Sequence, residues 1–433
     1  MNNLEAGLFE QRNNDTDGYC VKYPRDDNYV FREFTTNRRV YTERVLSCCP
    51  NMTEQKDFFV SSLNSPTESL LTPEKNLNYI DLFCGGGGLS FGVQSAAKFL
   101  GLKPKLCLAA DIDEVALELV KRHFKPVYGR NNSVEDLIQY EVDYTGNTNQ
   151  FISQPVILDD QILGLKGRID LLVGGPPCQG HSNLNNKTRR FDPRNLLYMI
   201  MPAFALALNI PNIIIENVQT ITKASENVVG LTKSLLHHHG YSIEEFKLLA
   251  SDFGVAQSRT RHFMIASKNR NLGTHSFINQ FKTSQISFKE ACTNLPKLDD
   301  DMAIIQKISN LSRENVERIN YLHDNNVDDL PNFVRPDCHK NGHTYKSVYG
   351  RIKADLPMTT ITTGFASPGR GRYTHPFERR PISIREAGRA QAFPDWYWKP
   401  TIDLSWKASN YQKVIGDAVP PQFAYPLLAN LFA

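Results

Sequence analysis

Short apolar runs punctuate this chain. Residues 79–83, 106–110, 169–173, 212–218 and 262–266 are rich in Ile, Leu, Val and Phe. They are too short for helices and mostly too continuous for strands with one wet face, so they predict buried strands of an α/β sheet. Amphipathic stretches follow several of them. One helix starts after the glycines at 85–88, one after Asp113, one is opened by Asp192-Pro193-Arg194-Asn195-Leu196-Leu197, and one ends at His237-His238-His239 before Gly240. Histidines at a helix end complement its dipole, which is preferred here to metal binding. Residues 385–393 predict an amphipathic helix ended by Pro394, and residues 414–421 turn into a last helix.

The flanks read differently. Residues 1–75 are mostly polar and show no repeat. Within them, residues 29–34 and 38–41 mix aromatic and basic side chains, which predicts a solvated edge hairpin, with a DNA-contacting element as the alternative. Ser61-Ser62-Leu63-Asn64-Ser65-Pro66-Thr67 predicts a linker. Residues 268–357 carry little clear periodicity.

The candidate chemistry sits at strand ends. The run 169–173 leads into Gly174-Gly175-Pro176-Pro177-Cys178-Gln179-Gly180-His181-Ser182. Two glycines and two prolines cannot continue a central ladder, so Cys178 falls on a loop past a strand's carboxyl end, where open α/β sheets bind ligands. A thiol there is a candidate nucleophile, against the plainer role of filling a turn. Glu216 ends the strand 212–218, where ion pairing or capping competes with catalysis. The glycine turn Cys84-Gly85-Gly86-Gly87-Gly88 lets a ligand approach the backbone and presents a helix N-terminus. It lacks the Gly-Lys-Ser/Thr ending of a phosphate-cradling loop. Asp111 and Asp113 follow the second strand. One is suited to a ribose diol and one to capping the next helix. Arg259 and Arg261 alternate at a strand start and project to one side, suited to phosphate or base contacts or to a plain surface role. The polar, basic stretch 183–190 could close over a substrate or simply connect.

Composition narrows the class. The chain has 433 residues, 41% hydrophobic and 22% charged, as in ordinary globular proteins. No apolar run is long enough to span a membrane, and the first residues lack the basic start and apolar stretch of a signal peptide. Eight cysteines without paired metal-ligand spacing predict reduced thiols in a cytosol. Cys48 and Cys49 are adjacent, and Cys338, His339 and His343 are too few for a structural zinc, so no metal is expected. A net charge of +3 permits nucleic-acid binding without arguing for it.

Taken in order, Pro177-Cys178-Gln179, Glu216-Asn217-Val218, Gln257-x-Arg259-x-Arg261, Arg385-Glu386 and the run Gly416 to Pro421 resemble the cytosine-5 DNA methyltransferase family over about residues 78–431. The resemblance implies a Rossmann-like S-adenosylmethionine-dependent methyltransferase domain with a small target-recognition domain, and DNA between them. It divides the chain into an N-terminal extension of unknown role (1–75), a catalytic and cofactor-binding domain (76–267), a target-recognition region (268–357) and a C-terminal segment (358–433) whose last helix returns to the catalytic domain. By the same resemblance Phe83, Gly85 and Gly87 line the cofactor, Asp111 holds its ribose and Ile112 packs on adenine. Pro177, Leu197, Asp417 and Ala418 are expected nearby, and Gln179, Ser182 and Gln257 are expected to meet DNA. Two departures from the family pattern bear on cofactor affinity. Asp417 stands where Asn is usual, and the acidic residue that usually contacts adenine has no clear counterpart, with Asn131 or Asn132 standing nearby.

The chemistry fits these residues on its own terms. Cytosine C5 is a poor nucleophile until a thiolate, here Cys178, adds to C6. A protonated Glu216 can hydrogen-bond N3, and burial would favour that form. The base must be flipped out of the duplex, and Arg259 and Arg261 are candidates to hold the flipped nucleotide. The expected partners are duplex DNA and a companion restriction endonuclease, with the enzyme a monomer on DNA, no membrane, and a cytoplasmic, nucleoid-associated location if prokaryotic. An RNA (tRNA) cytosine-5 methyltransferase and a non-catalytic DNA-binding relative are the alternatives, and intact Cys178 and Glu216 weigh against the second.

Overall fold

Alternation within the central strands shows how the sheet is buried. In the computed structural model, which describes residues 18–26, 28–143, 150–177, 193–223, 227–340 and 348–433, Tyr79, Val173, Ile214 and Ile265 pack into one hydrophobic core. Their neighbours Ile80, Leu172, Ile213, Ile215 and Met264 pack into another on the opposite face. Successive side chains leave a strand on opposite faces, so a continuous apolar run is what a sheet covered on both sides requires.

Seven strands form that sheet, in the order Ser242–Leu249, Thr260–Ser267, Asn212–Val218, Leu171–Gly174, Lys75–Leu82, Leu102–Ala110 and Tyr128–Arg130. All neighbours are parallel except Thr260–Ser267, which runs antiparallel to both of its partners. From Lys75–Leu82 the chain steps outward through two strands, then returns to place Leu171–Gly174 on the other side. That reversal is a topological switch point, and the crevice beyond these two strand ends is where such sheets bind ligands. The helix Gly88–Phe99 follows the first strand, and the last helix, Ala424–Phe432, packs beside it. A Cβ on Gly92 would lie 2.8 Å from Ala424 Cβ. The helix Glu114–Phe124 is capped by Asp113, whose side chain accepts the Val115 and Ala116 N–H groups, and its last turn carries Lys121, Arg122 and His123.

The structure corrects several expectations outside the sheet. Cys20–Lys22, Tyr29–Thr35, Val40–Leu46 and Glu68–Ser69 form a four-stranded antiparallel sheet. Its hairpin is central rather than at an edge, and one face is dry. Val30, Arg32 and Phe34 lie buried opposite Val45, Glu43 and Tyr41. Arg32 is ion-paired to Glu43, with its guanidinium 3.6 Å from the Tyr425 ring centre, so it is not available to DNA. The expected linker begins inside a helix, Glu54–Ser62. Ser61 is buried because its hydroxyl donates to Asp57 Oδ1 at 2.7 Å, one turn back. A small polar residue looks the same in a sequence whether its partner is water or a carboxylate.

The helix expected at 385–393 runs Ile384–Ala390 and is buried all round rather than amphipathic. Its charges are matched internally: Arg385 and Arg389 both reach Asp395 (2.6 and 3.0 Å), and Glu386 reaches Arg380 at 2.7 Å. Among the described residues no helix is long and apolar enough to cross a membrane.

Candidate active site

Strand ends around the switch point bring together two parts of a site. The first is the glycine turn. Phe83, Gly85 and Gly87 all have positive φ (57°, 50° and 79°), so the backbone coils tightly here, and only at Phe83 does a side chain bear that conformation. The turn is clamped on one side. A Cβ on Gly86 would come 2.2 Å from Val414 Cγ1, and one on Gly88 2.3 Å from the Val419 carbonyl oxygen. Tyr397 donates its hydroxyl proton to the Gly86 carbonyl at 2.6 Å. Gly85 is different, because a Cβ there would meet nothing within 4 Å. The turn therefore has a packed side and an open side.

Asp111 holds the open side in place. Its Oδ2 accepts the Gly85 N–H at 2.7 Å and its Oδ1 the Asp113 N–H at 2.8 Å. Burial raises its pKa above the usual carboxylate range, and those two N–H groups oppose the rise. Each oxygen keeps a lone pair for a further donor. Beside it, Ile112 is 76% exposed, a large apolar side chain standing in solvent next to the glycine turn. Asn131 pins that loop by donating from Nδ2 to the carbonyls of both Asp111 and Ile112 at 3.1 Å. Asn131 thus braces the loop from behind. Lys413 closes the rim in an ion pair with Asp113, and Asp417 stands exposed at the end of the same helix, Ala408–Asp417. Ala418 is buried, and Leu197 and Phe83 are half-buried against the core on one face of the sheet.

The second part is the carboxyl group that ends Asn212–Val218. Glu216 is 7% exposed, and its Oε1 lies 2.8 Å from Arg261 Nε. Burial pushes its pKa up, and the guanidinium groups of Arg261 and Arg259 only partly offset this. The chain leading to Cys178 passes directly against it. A Cβ on Gly175 would sit 3.1 Å from Glu216 Oε2, so a side chain there would crowd the carboxyl group. Asn217 donates from Nδ2 to the Pro176 carbonyl at 3.1 Å. Gly175 and Pro176 are thereby set against Glu216 and Asn217. Cys178, Gln179 and Ser182 lie outside the described residues.

The two arginines have separate duties. Arg261 pairs with Glu216. Arg259 is buried and donates from one terminal nitrogen to the carbonyls of Ile361 (2.9 Å) and Gly416 (3.3 Å), tying this strand to the C-terminal segment. Gln257, expected at the DNA, is fully buried. Its amide donates to the Ala390 carbonyl at 3.4 Å and its oxygen accepts the Ile361 N–H at 2.9 Å. It is an internal strut, because both ends of its amide are spent on backbone.

Sequence reasoning missed Tyr397 and Val414, which grip Gly86 from far along the chain, and Lys413, which pairs with Asp113. The one available signal was the aromatic run Trp396-Tyr397-Trp398, in which a buried tyrosine hydroxyl needs an acceptor. Away from the site, Cys48, Cys49 and Asp57 bring ligand-type atoms within 4.8 Å of one another. Asp57 already accepts from Ser47, Ser61, Arg25 and the Cys49 N–H, so its oxygens are committed to the protein.

An open cradle at Gly85, a carboxylate at the second strand end and an exposed apolar platform at Ile112 fit a bound nucleoside with an attached polar chain, as S-adenosylmethionine has. Comparison with known proteins agrees. The family model for C-5 cytosine-specific DNA methylase matches residues 77–433. The chain is 38% identical over 367 residues to the Type II methyltransferase M1.BsuMI of Bacillus subtilis (strain 168), covering 84% of this chain and 82% of that one. It is 26% identical over 366 residues to the Type II methyltransferase M1.HphI of Haemophilus parahaemolyticus, covering 81% and 85%. Among solved structures, a DNA modification methyltransferase type protein of an E. coli prophage aligns with a TM-score of 0.52 at 25% identity, over 82% of this chain and 98% of that one. The DNMT2 of Spodoptera frugiperda aligns with a TM-score of 0.51 at 18% identity, over 82% and 100%, and shares the fold. With its Rossmann-like sheet, its glycine turn and this match over nearly all of the chain after residue 76, the protein belongs to the C-5 cytosine-specific DNA methylase family.

Proposed function

We propose that this protein methylates C5 of a flipped-out cytosine in duplex DNA through a covalent adduct with Cys178. The observation that carries the reading is the contact between Glu216 and the loop entering Cys178. A buried carboxyl group with a raised pKa lies against Gly175, three residues before the thiol.

In this reading the Cys178 thiolate adds to C6 and pushes electron density into the ring. Protonated Glu216 donates to N3 and offsets the charge that develops there. Arg261 holds the carboxyl group in register, and burial favours its protonated form against the pull of the arginine. S-adenosylmethionine, when bound, supplies the electrophilic methyl group that C5 accepts. Gly85, Asp111, Ile112, Phe83 and Leu197 are the residues proposed to hold it, with Gly87, Pro177, Asp417 and Ala418 around them. Loss of the C5 proton and departure of the thiolate then restore the aromatic ring. Arg259, bonded to Ile361 and Gly416, acts as a positioning residue that holds the strand after Gln257 to the C-terminal segment. The relatives named Type II methyltransferases support a companion restriction endonuclease as a partner, and we propose a monomer as the form that acts on DNA.

Transfer of labelled methyl from S-adenosylmethionine to duplex DNA, compared with tRNA, tests the substrate. Methylation of duplex DNA is expected; activity on tRNA alone overturns the reading. Duplex DNA carrying 5-fluorocytosine at the target should trap the wild-type protein covalently. Cys178→Ala should abolish both transfer and trapping while binding the cofactor. Glu216→Gln should lower the single-turnover rate far more than DNA affinity.

A further inference from the structure

Almost every arginine in the C-terminal third of the chain is occupied. After residue 268, each one but Arg370 gives its guanidinium to a carboxylate or carbonyl oxygen. Arg372, two residues on, donates to the carbonyls of Asp328 and Arg351 (2.8 and 2.9 Å) and to Asp329 at 2.6 Å. Arg370 is exposed, and among the described residues its guanidinium has no partner.

The loop that carries it is nevertheless held firmly. Pro368, Gly369 and Arg370 form one 3-10 turn, whose Pro368 carbonyl accepts the Tyr349 N–H at 2.7 Å. A Cβ on Gly369 would lie 2.8 Å from Tyr349 Oη, and one on Gly371 2.5 Å from the Tyr373 ring. Tyr373 in turn donates to the Thr360 carbonyl at 2.9 Å and accepts the Thr362 N–H at 3.2 Å. The aliphatic stem of Arg370 crosses Gly364, where a Cβ would come 2.8 Å from Arg370 Cγ. Thr362 and Thr363, just before Gly364, pack on Gly416, and the Ile361 carbonyl receives Arg259. A free guanidinium therefore stands on a braced loop a few residues from the segment that Arg259 ties to the active site.

We propose that Arg370 reads a guanine of the target sequence through O6 and N7 in the major groove. This rests on the reading of the protein as a DNA methyltransferase. An arginine fork matches guanine's two acceptors, and no other base pair presents that pair side by side. Readout needs a side chain placed by rigid neighbours with its own donors uncommitted, and among the described arginines of this region Arg370 meets both conditions. Arg372, committed to Asp328 and Asp329, braces the loop.

The test begins by mapping the cytosines that the wild-type protein methylates in bacterial genomic DNA, then compares Arg370→Ala and Arg370→Lys. Both variants should relax the sequence preference at one guanine by roughly ten- to a hundredfold in kcat/KM, the scale of one bidentate contact. Replacing that guanine by 7-deazaguanine should slow the wild type and leave Arg370→Ala unchanged. The lysine variant keeps the charge, so its nonspecific DNA binding should match the wild type and show that the fold is intact. Unchanged target sequence and rates in both variants would overturn the inference. So would a uniform weakening on every sequence with a shallower salt dependence, which marks a phosphate contact. A wild type that methylates no DNA would instead overturn the underlying reading.

Discussion

A carboxylic acid buried at a strand end must either find a cation or give up its charge. Glu216 has Arg261 beside it and yet stays above the usual range, because burial outweighs the arginine. Asp81 has no cation beside it among the described residues: Ser90 donates to it, its hydroxyl at 2.5 Å, and its other oxygen is buried without a partner there. Burial pushes its pKa from 3.8 to about 7. A carboxyl group raised in this way binds its proton more tightly in the folded state. Its contribution to stability is full below 3.8, declines as pH rises and levels off above about 7. Within that window the decline approaches roughly 1.4 kcal/mol per pH unit. Denaturant midpoints measured between about pH 4 and pH 8 should therefore fall less steeply for Asp81→Asn than for the wild type. Parallel curves for the two proteins would show that Asp81 does not titrate in this range.

The glycine turn owes its shape to elements far along the chain. Gly88–Phe99 begins in a left-handed residue, Gly87, and the turn before it stays closed because Tyr397 and Val414 press on Gly86. Tyr397→Phe removes the donor and leaves the Gly86 carbonyl unpaired in a buried place, which costs about 1–3 kcal/mol. The expected result is a dissociation constant for S-adenosylmethionine roughly tenfold higher by calorimetry, with the single-turnover rate at saturating cofactor retained. A lower melting temperature with unchanged affinity would make Tyr397 a packing residue only. The strands were legible from sequence because burial on both faces writes them as continuous apolar runs. The strand-end places of Glu216 and the glycine turn were legible because glycine, proline and charge interrupt those runs at their ends. Tyr397 and Val414 were not, since nothing near them in the chain records the backbone they touch. Gln257 was misread for a related reason: an amide spent on two backbone groups has the same letter as one facing DNA.

At the scale of the whole molecule, the N-terminal sheet is stitched into the core of the methylase fold. Phe34 and Tyr41 share that core with Phe99 and with Tyr425 of the last helix. The Arg32–Glu43 pair is buried beneath them, with Arg32 lying against Phe58, Phe99 and Tyr425. Such a pair is a poor source of net stability, but removing one partner strands the other in a dry site and costs about 3–5 kcal/mol. Since the last helix lies on Gly88–Phe99, the loss should be felt at the cofactor cradle as well as at the N-terminus. Arg32→Ala is therefore expected to lower the melting temperature of the entire protein in one cooperative transition and to weaken S-adenosylmethionine binding with it. Replacing both partners by apolar residues, Arg32→Met with Glu43→Leu, should recover most of the loss. The outcome against this view is an early, separate transition in Arg32→Ala that leaves cofactor affinity untouched, as an independently folding appendage would give.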